Sequence, residues 1–268
     1  MKIAICISGH LRNCHLYINN FKEKILDVFD ENKIEYDIYF HLYSNIFTSL
    51  TFAERKNIES NRDISNETNN SLKIIKKFIK NIKKIKIDEQ KFRSIEEFKD
   101  YNYICIKKKK GKIQIIDEDH WKEEIRHRNL NWFRSIEESF NLIDNLDNYD
   151  KILWRRPDMF YSEKFDINLL KHSLVFPNCH RFGGTQIHMT TALGNSDLMK
   201  NVLIFYSSLF KNNFEIVNKF NIKYNIKNFF INILFKFYVV DYLKYDIFFS
   251  NYKDSIVRIN NGKILKLE

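Results

Sequence analysis

The residues best suited to chemistry fall in three short clusters: Ser8-Gly9-His10-Leu11-Arg12, His41 within Tyr36-Asp37-Ile38-Tyr39-Phe40-His41, and Arg155-Arg156-Pro157-Asp158. Arginines beside a carboxylate suit a diphosphate ligand. The carboxylate can hold a divalent cation while planar guanidinium groups neutralise a leaving phosphate. Pro157 stiffens the turn and biases Arg156 toward extended backbone. Gly9 lets backbone approach a ligand closely, and Arg12 can pair with a phosphate oxygen. Each cluster also has a plain structural meaning, an Arg–Asp pair closing a strand end in one case and a surface turn in the other. Taken alone, neither cluster decides between the two meanings.

What must position these clusters is an α/β sheet. Residues 2–8 (KIAICIS) are a short apolar run ending at Gly9, the pattern of a buried strand. Asn13 is placed to cap a helix whose Leu16, Ile18, Phe21, Ile25, Leu26 and Phe29 recur at helical spacing. Residues 36–43 (YDIYFHLY) form a second strand, which makes a parallel βαβ unit. Residues 44–71 lose all periodicity and are expected to be an irregular insertion. An amphipathic helix is predicted over 72–85, a third strand over 84–88, and either a hairpin with Lys-Lys-Gly at its turn or a loop over 103–116. The clearest helix spans 119–146, where Trp121, Ile125, Trp132, Ile136, Phe140 and Ile143 make one stripe. Further strands are expected at 149–154, 174–176 and 186–193, the last closed by Gly194. A helix from Asn195 or Ser196 to about 210, another over 227–242, and a strand over 255–259 with a turn at 260–262 complete the chain. Ligands of open α/β sheets lie beyond the carboxyl ends of the strands, which is where all three clusters fall.

Composition narrows the class. With 44% apolar and 29% charged residues over 268 positions, the chain can build a sizeable core. The net charge of +10 asks for an anionic partner such as a phosphate-bearing substrate, an anionic lipid or nucleic acid. Cys6, Cys14, Cys105 and Cys179 make no C-x-x-C pair, which suits reduced thiols. With no signal-peptide pattern and no apolar run long enough to cross a bilayer, a cytoplasmic location is expected. No Pro/Gly/Ser linker divides the chain. One domain over 1–268 is expected, with a nucleotide-binding part over about 1–165, an insertion over about 45–118, and an acceptor-side part over about 166–268.

The ordered set Ser-Gly-x-x-Arg (Ser8, Gly9, Arg12), Asp37-x-x-x-His41, Tyr149-Asp150 and Arg156-Pro157-Asp158 resembles a family of bacterial and giant-virus glycosyltransferases of surface-polysaccharide synthesis. The closing Val257-Arg258-Ile259-Asn260-Asn261-Gly262 is similar to that family as well. The resemblance spans most of the chain but is carried by few residues. It implies a GT-A-like, Rossmann-type, mostly parallel sheet flanked by helices, with a helical C-terminal part. It implies transfer of a sugar from a nucleotide-diphosphate sugar to a surface-glycan or lipid-linked acceptor. Ser8, Gly9, His10 and Arg12 would border the nucleotide, with His41, Arg155 and Arg156 nearby. Asp158 would be the catalytic carboxylate and the ligand of a divalent cation, Mn²⁺ or Mg²⁺. Two departures stand out: Arg156 occupies the place of the first carboxylate of an Asp-x-Asp pair, and no acid precedes Ala192-Leu193-Gly194. His188 is the preferred base for the acceptor hydroxyl, ahead of Asp197 and His180.

The stretch from Lys73 to Arg93 holds nine Lys or Arg against two acids, which suits peripheral contact with the inner face of a membrane as well as a merely solvated surface. Two other classes compete. A basic nucleic-acid-binding protein rests on charge alone, since no zinc-finger or RNP-type sequence occurs, and no nucleic-acid partner is expected. A catalytically inactive glycosyltransferase-like binding module is the other.

Overall fold

The computed structural model describes residues 1–11, 18–47, 61–90, 102–103, 105–109, 112–116, 119–177, 187, 190–209, 215–224, 228–229, 231–250, 254–260 and 263–267. The centre is a seven-stranded sheet. Its strands in chain order are β1 (Lys2–Gly9), β2 (Glu35–Tyr43), β3 (Ile82–Asp88), β4 (Lys151–Arg155), β5 (Leu174–Pro177), β6 (Thr191–Asn195) and β7 (Phe248–Ser250). They lie in the order β3-β2-β1-β4-β6-β5-β7. All neighbouring pairs are parallel except those that β6 makes with β4 and β5. The expected mixed α/β class, with a mostly parallel sheet, is the class observed.

β1 is buried along Ile3 to Ser8, and its side chains alternate between two cores, as a pleated strand requires. Ile3, Ile5 and Ile7, with Ile38, Phe40 and Leu42 of β2, face helix α1 (residues 18–31) and helix α2 (Ser65–Phe78). Ala4 and Cys6, with Tyr39, Ile152 and Trp154, face helix α3 (Asp119–Phe140) and the C-terminal helices. Those helices are α4 (Ser196–Leu203), α5 (Phe205–Leu209), α6 (Glu215–Tyr224) and α7 (residues 231–242). Burial pushes the Cys6 thiol well up, so it is an inert core residue.

Several boundaries differ from expectation, and three have a clear physical reason. The segment 44–71 is not irregular throughout: Asn45–Phe47 pairs antiparallel with Asn61–Asp63, and α2 begins at Ser65. The polar start of α2 hid this. Thr68 and Ser71 are buried because their hydroxyls donate to the carbonyls of Tyr43 at 3.2 Å and Leu11 at 3.3 Å. The helix expected to reach 85 stops at Phe78, Ile79 turns extended (φ −117°, ψ 121°), and β3 follows. Gly194 lies inside β6 rather than after it. A β-carbon there would stand 2.8 Å from the Ser173 carbonyl oxygen, so the close approach of β5 requires glycine. Over 103–116 the hairpin is present, as Cys105–Lys109 paired with Lys112–Ile116. The C-terminal strand pairs as Asp254–Asn260 with Lys263–Leu267.

One group of motif residues proves to be scaffold. Asp37 accepts the Tyr149 hydroxyl at 2.8 Å and pairs with Lys2 at 2.9 Å, and the Tyr39 and Tyr149 hydroxyls lie 2.7 Å apart. Asp150 accepts the Lys2 backbone N–H at 2.7 Å. These bonds tie β1, β2 and β4 together near the starts of the strands. Burial opposes ionisation of Asp37, but the hydrogen bonds from Lys2 and Tyr149 outweigh it and hold the carboxyl below its ordinary range.

Candidate active site

Chain order reverses between β1 and β4: strands β2 and β3 lie to one side, and β6, β5 and β7 to the other. A crevice opens at the carboxyl ends of two parallel strands whose connections run away in opposite directions. Ile7 of β1 is level with Arg155 of β4, so Ser8-Gly9 and Arg156-Pro157-Asp158 leave the sheet side by side. Gly9 has φ +128°, and a β-carbon on it would meet Pro157 Cδ at 3.4 Å. The two clusters thus lie against each other, and the positive φ at their junction is what calls for glycine. The Ser8 hydroxyl is buried and accepts the Trp154 indole N–H at 2.9 Å, which leaves the backbone of 8–10 as the part of this cluster nearest the crevice. His10 is turned toward β2, with Nε2 2.9 Å from the Asn45 carbonyl oxygen and its ring 5.4 Å from that of Tyr43. Arg12 and His188 lie outside the described residues.

The two arginines diverge because successive residues at a strand end point to opposite faces. Arg155 is only 1% exposed. Its Nε donates to the Arg156 carbonyl at 3.0 Å and its Nη2 to the Met159 carbonyl at 3.2 Å. The guanidinium carbon lies 4.1 Å from the Phe21 ring centre and 4.9 Å from that of Tyr161. Arg155 therefore braces the turn from inside. Arg156 goes the other way, with its side chain 28% exposed. Its Nε and Nη2 donate to the two carboxylate oxygens of Asp158 at 2.8 and 2.7 Å, a bidentate pair. Its guanidinium carbon is 5.7 Å from the Trp132 ring centre on α3, and its backbone N–H donates to the Thr190 carbonyl at 3.1 Å.

His41, at the end of β2, is 1% exposed and belongs to a cluster that the sequence showed only in part. Nε2 is 2.9 Å from Asp88 Oδ2, and Nδ1 is 3.2 Å from the Ser135 hydroxyl oxygen on α3. Lys86 Nζ bridges Asp88 at 3.1 Å and Glu138 at 2.7 Å. Burial lowers the His41 pKa below its ordinary value despite the neighbouring carboxylate, so the ring is neutral at pH 7. Burial would raise Asp88, but hydrogen bonds from His41 and Lys86 prevail and hold it low. Lys86 is raised, chiefly by its bond to Glu138. The ligand-capable atoms of His41, Asp88 and Glu138 lie within 4.8 Å of one another, a group that could hold a metal ion, with Lys86 as its present internal cation. Asp88 and Glu138 carried no signal in the sequence. They reach His41 only through the parallel pairing of β2 with β3 and the packing of α3 across β1 and β2.

Two further expectations can be placed. β6 runs antiparallel from Thr191, level with Arg155, to Asn195, level with Lys151. Asp197, in the first turn of α4, is therefore carried to the edge opposite the crevice and cannot serve as its base. Asp158, the expected cation ligand, is paired with the Arg156 guanidinium in this structure. Both its oxygens are engaged by a guanidinium, and among the described residues it belongs to no three-membered cluster of metal-ligating groups.

No protein-family model and no curated protein matches the chain. Among solved structures it is similar to mouse xyloside xylosyltransferase 1 in its apo form, at 10% identity over 90% of this chain and 81% of that one, with a TM-score of 0.41. It is also similar to the galactosyltransferase LgtC in complex with donor and acceptor sugar analogs, at 10% identity over 90% of this chain and 70% of that one, with a TM-score of 0.37. At this level of similarity the reading of function rests on the residues themselves.

Proposed function

We propose that the protein is a glycosyltransferase that takes a nucleotide-diphosphate sugar in the crevice between β1 and β4 and passes the sugar to a surface-glycan or lipid-linked acceptor. The observation that carries this reading is the meeting of Gly9 with Pro157 at the topological switch point, with Arg156 and Asp158 presented at its mouth. The backbone N–H groups after β1 supply neutral donors for the phosphates, and Arg156 supplies charge where the leaving diphosphate gathers it. His188, two residues before Thr190 in sequence, is assigned the acceptor proton. Ser8 and Arg155 act indirectly, Ser8 by fixing Trp154 and Arg155 by bracing the turn.

A thermal-shift screen against UDP, GDP, CDP, dTDP and CMP sugars tests the reading. With Mn²⁺ and Mg²⁺ both present, the outcome does not turn on metal. Ligand bound only by the folded chain raises the melting temperature. One nucleotide class is expected to raise that of wild type and to leave Arg156→Ala unshifted. No shift with any donor would remove the transferase reading.

A further inference from the structure

We infer that Arg156 itself supplies the positive charge for the donor diphosphate, so that donor binding needs no divalent cation, and that Asp158 is the residue that positions it. This rests on the transferase reading above and departs from the role first expected of Asp158.

The geometry is that of a held arginine. Asp158 grips the guanidinium through both oxygens at 2.8 and 2.7 Å, while the Trp132 ring lies 5.7 Å from the guanidinium carbon. The Arg156 backbone is fixed to Thr190 at 3.1 Å. A guanidinium oriented before the ligand arrives loses less freedom on binding than a free one, and it needs no reorganisation as charge develops on a leaving group. At least two of its five N–H donors are spent on Asp158, and the guanidinium stays protonated. A divalent cation on Asp158 would have to enter beside that charge or displace it, and displacing it would undo the pair that holds Arg156 in place. The metal-capable group of described residues, His41 with Asp88 and Glu138, does not include Asp158. The buried Nε1–H of Trp132, whose ring faces Arg156, has no hydrogen-bond partner among the described residues.

Isothermal titration of the full chain with UDP, GDP, CDP and dTDP, in EDTA and again in Mn²⁺, tests the inference. One diphosphate is expected to bind with Kd values in the two buffers that agree within about threefold. Arg156→Lys keeps the charge but loses the fork, and should weaken binding roughly tenfold or more in both buffers. Asp158→Asn should weaken it less, and by the same factor with and without metal. Circular dichroism melts show that each variant is folded. Binding that appears only with Mn²⁺ and disappears in Asp158→Asn would overturn the inference while leaving the transferase reading in place. Binding of no nucleotide in either buffer would overturn both.

Discussion

At Gly9, a φ of +128° is a backbone conformation that side-chain-bearing residues rarely adopt, although a β-carbon there would meet Pro157 Cδ only at an ordinary contact distance of 3.4 Å. Gly9→Ala should cost about 1–2 kcal/mol, read as a lower urea midpoint at unchanged slope. A variant as stable as wild type would mean that position 9 does not hold a positive φ. His41 makes a prediction of the opposite kind, in pH. Its folded-state pKa lies below the unfolded value of 6.5, so on acidification the unfolded chain takes the proton first. Stability should therefore fall as pH drops below about 6.5 and stop falling, for this group, at the folded pKa. Asp88, held below 3.8, contributes stability that is lost only in stronger acid, so the two effects separate. Melting temperatures at pH 7.5 and 5.5 should differ less in His41→Gln than in wild type, and equal differences would contradict a buried neutral ring. Residue types alone marked Gly9, His41, Arg156 and Asp158. They did not tell Arg155 from Arg156, because which side of a strand end an arginine takes depends on the pairing register.

At the level of elements, the strands were legible where they are buried on both faces, since such strands are written as apolar runs. β1, β2 and β4 were found from these runs within a residue or two. α2 was misplaced because its first turns are polar residues that bury by bonding to carbonyls of other elements. β6 was misplaced because Gly194 serves contact between strands rather than a turn. There a β-carbon would meet Ser173 O at 2.8 Å, with Leu174 Cδ1 and Met199 Cγ each at 3.0 Å. Backbone cannot yield as a side-chain tip can, so Gly194→Ala should destabilise by about 1–3 kcal/mol in urea unfolding. An unchanged midpoint would mean that β5 and β6 are less closely packed than described.

Over the whole molecule, the two ends of the sheet do different work. Near the strand starts, Lys2, Asp37, Tyr39, Tyr149 and Asp150 lock the central strands. At their carboxyl ends, Gly9, Pro157, Arg156 and Asp158 leave the sheet side by side. Some of the motif residues thus position others, a division that one-dimensional spacing cannot express. Lys73, Lys76, Lys77 and Lys80 are exposed toward the end of α2, just before β3 begins, and so gather at the edge of the sheet away from the crevice. A membrane met through these lysines would leave the crevice open to solvent. No helix among the described residues is long and apolar enough to cross a membrane. The central claim is that a nucleotide sugar sits between β1 and β4, and hydrogen exchange read by mass spectrometry with and without saturating donor tests it most directly. Slower exchange is predicted in peptides holding Ser8-Gly9-His10 and Arg156-Pro157-Asp158, and none of it in Arg156→Ala. Protection confined to the lysine-rich stretch from Lys73 to Lys86, or protection nowhere, would contradict the account.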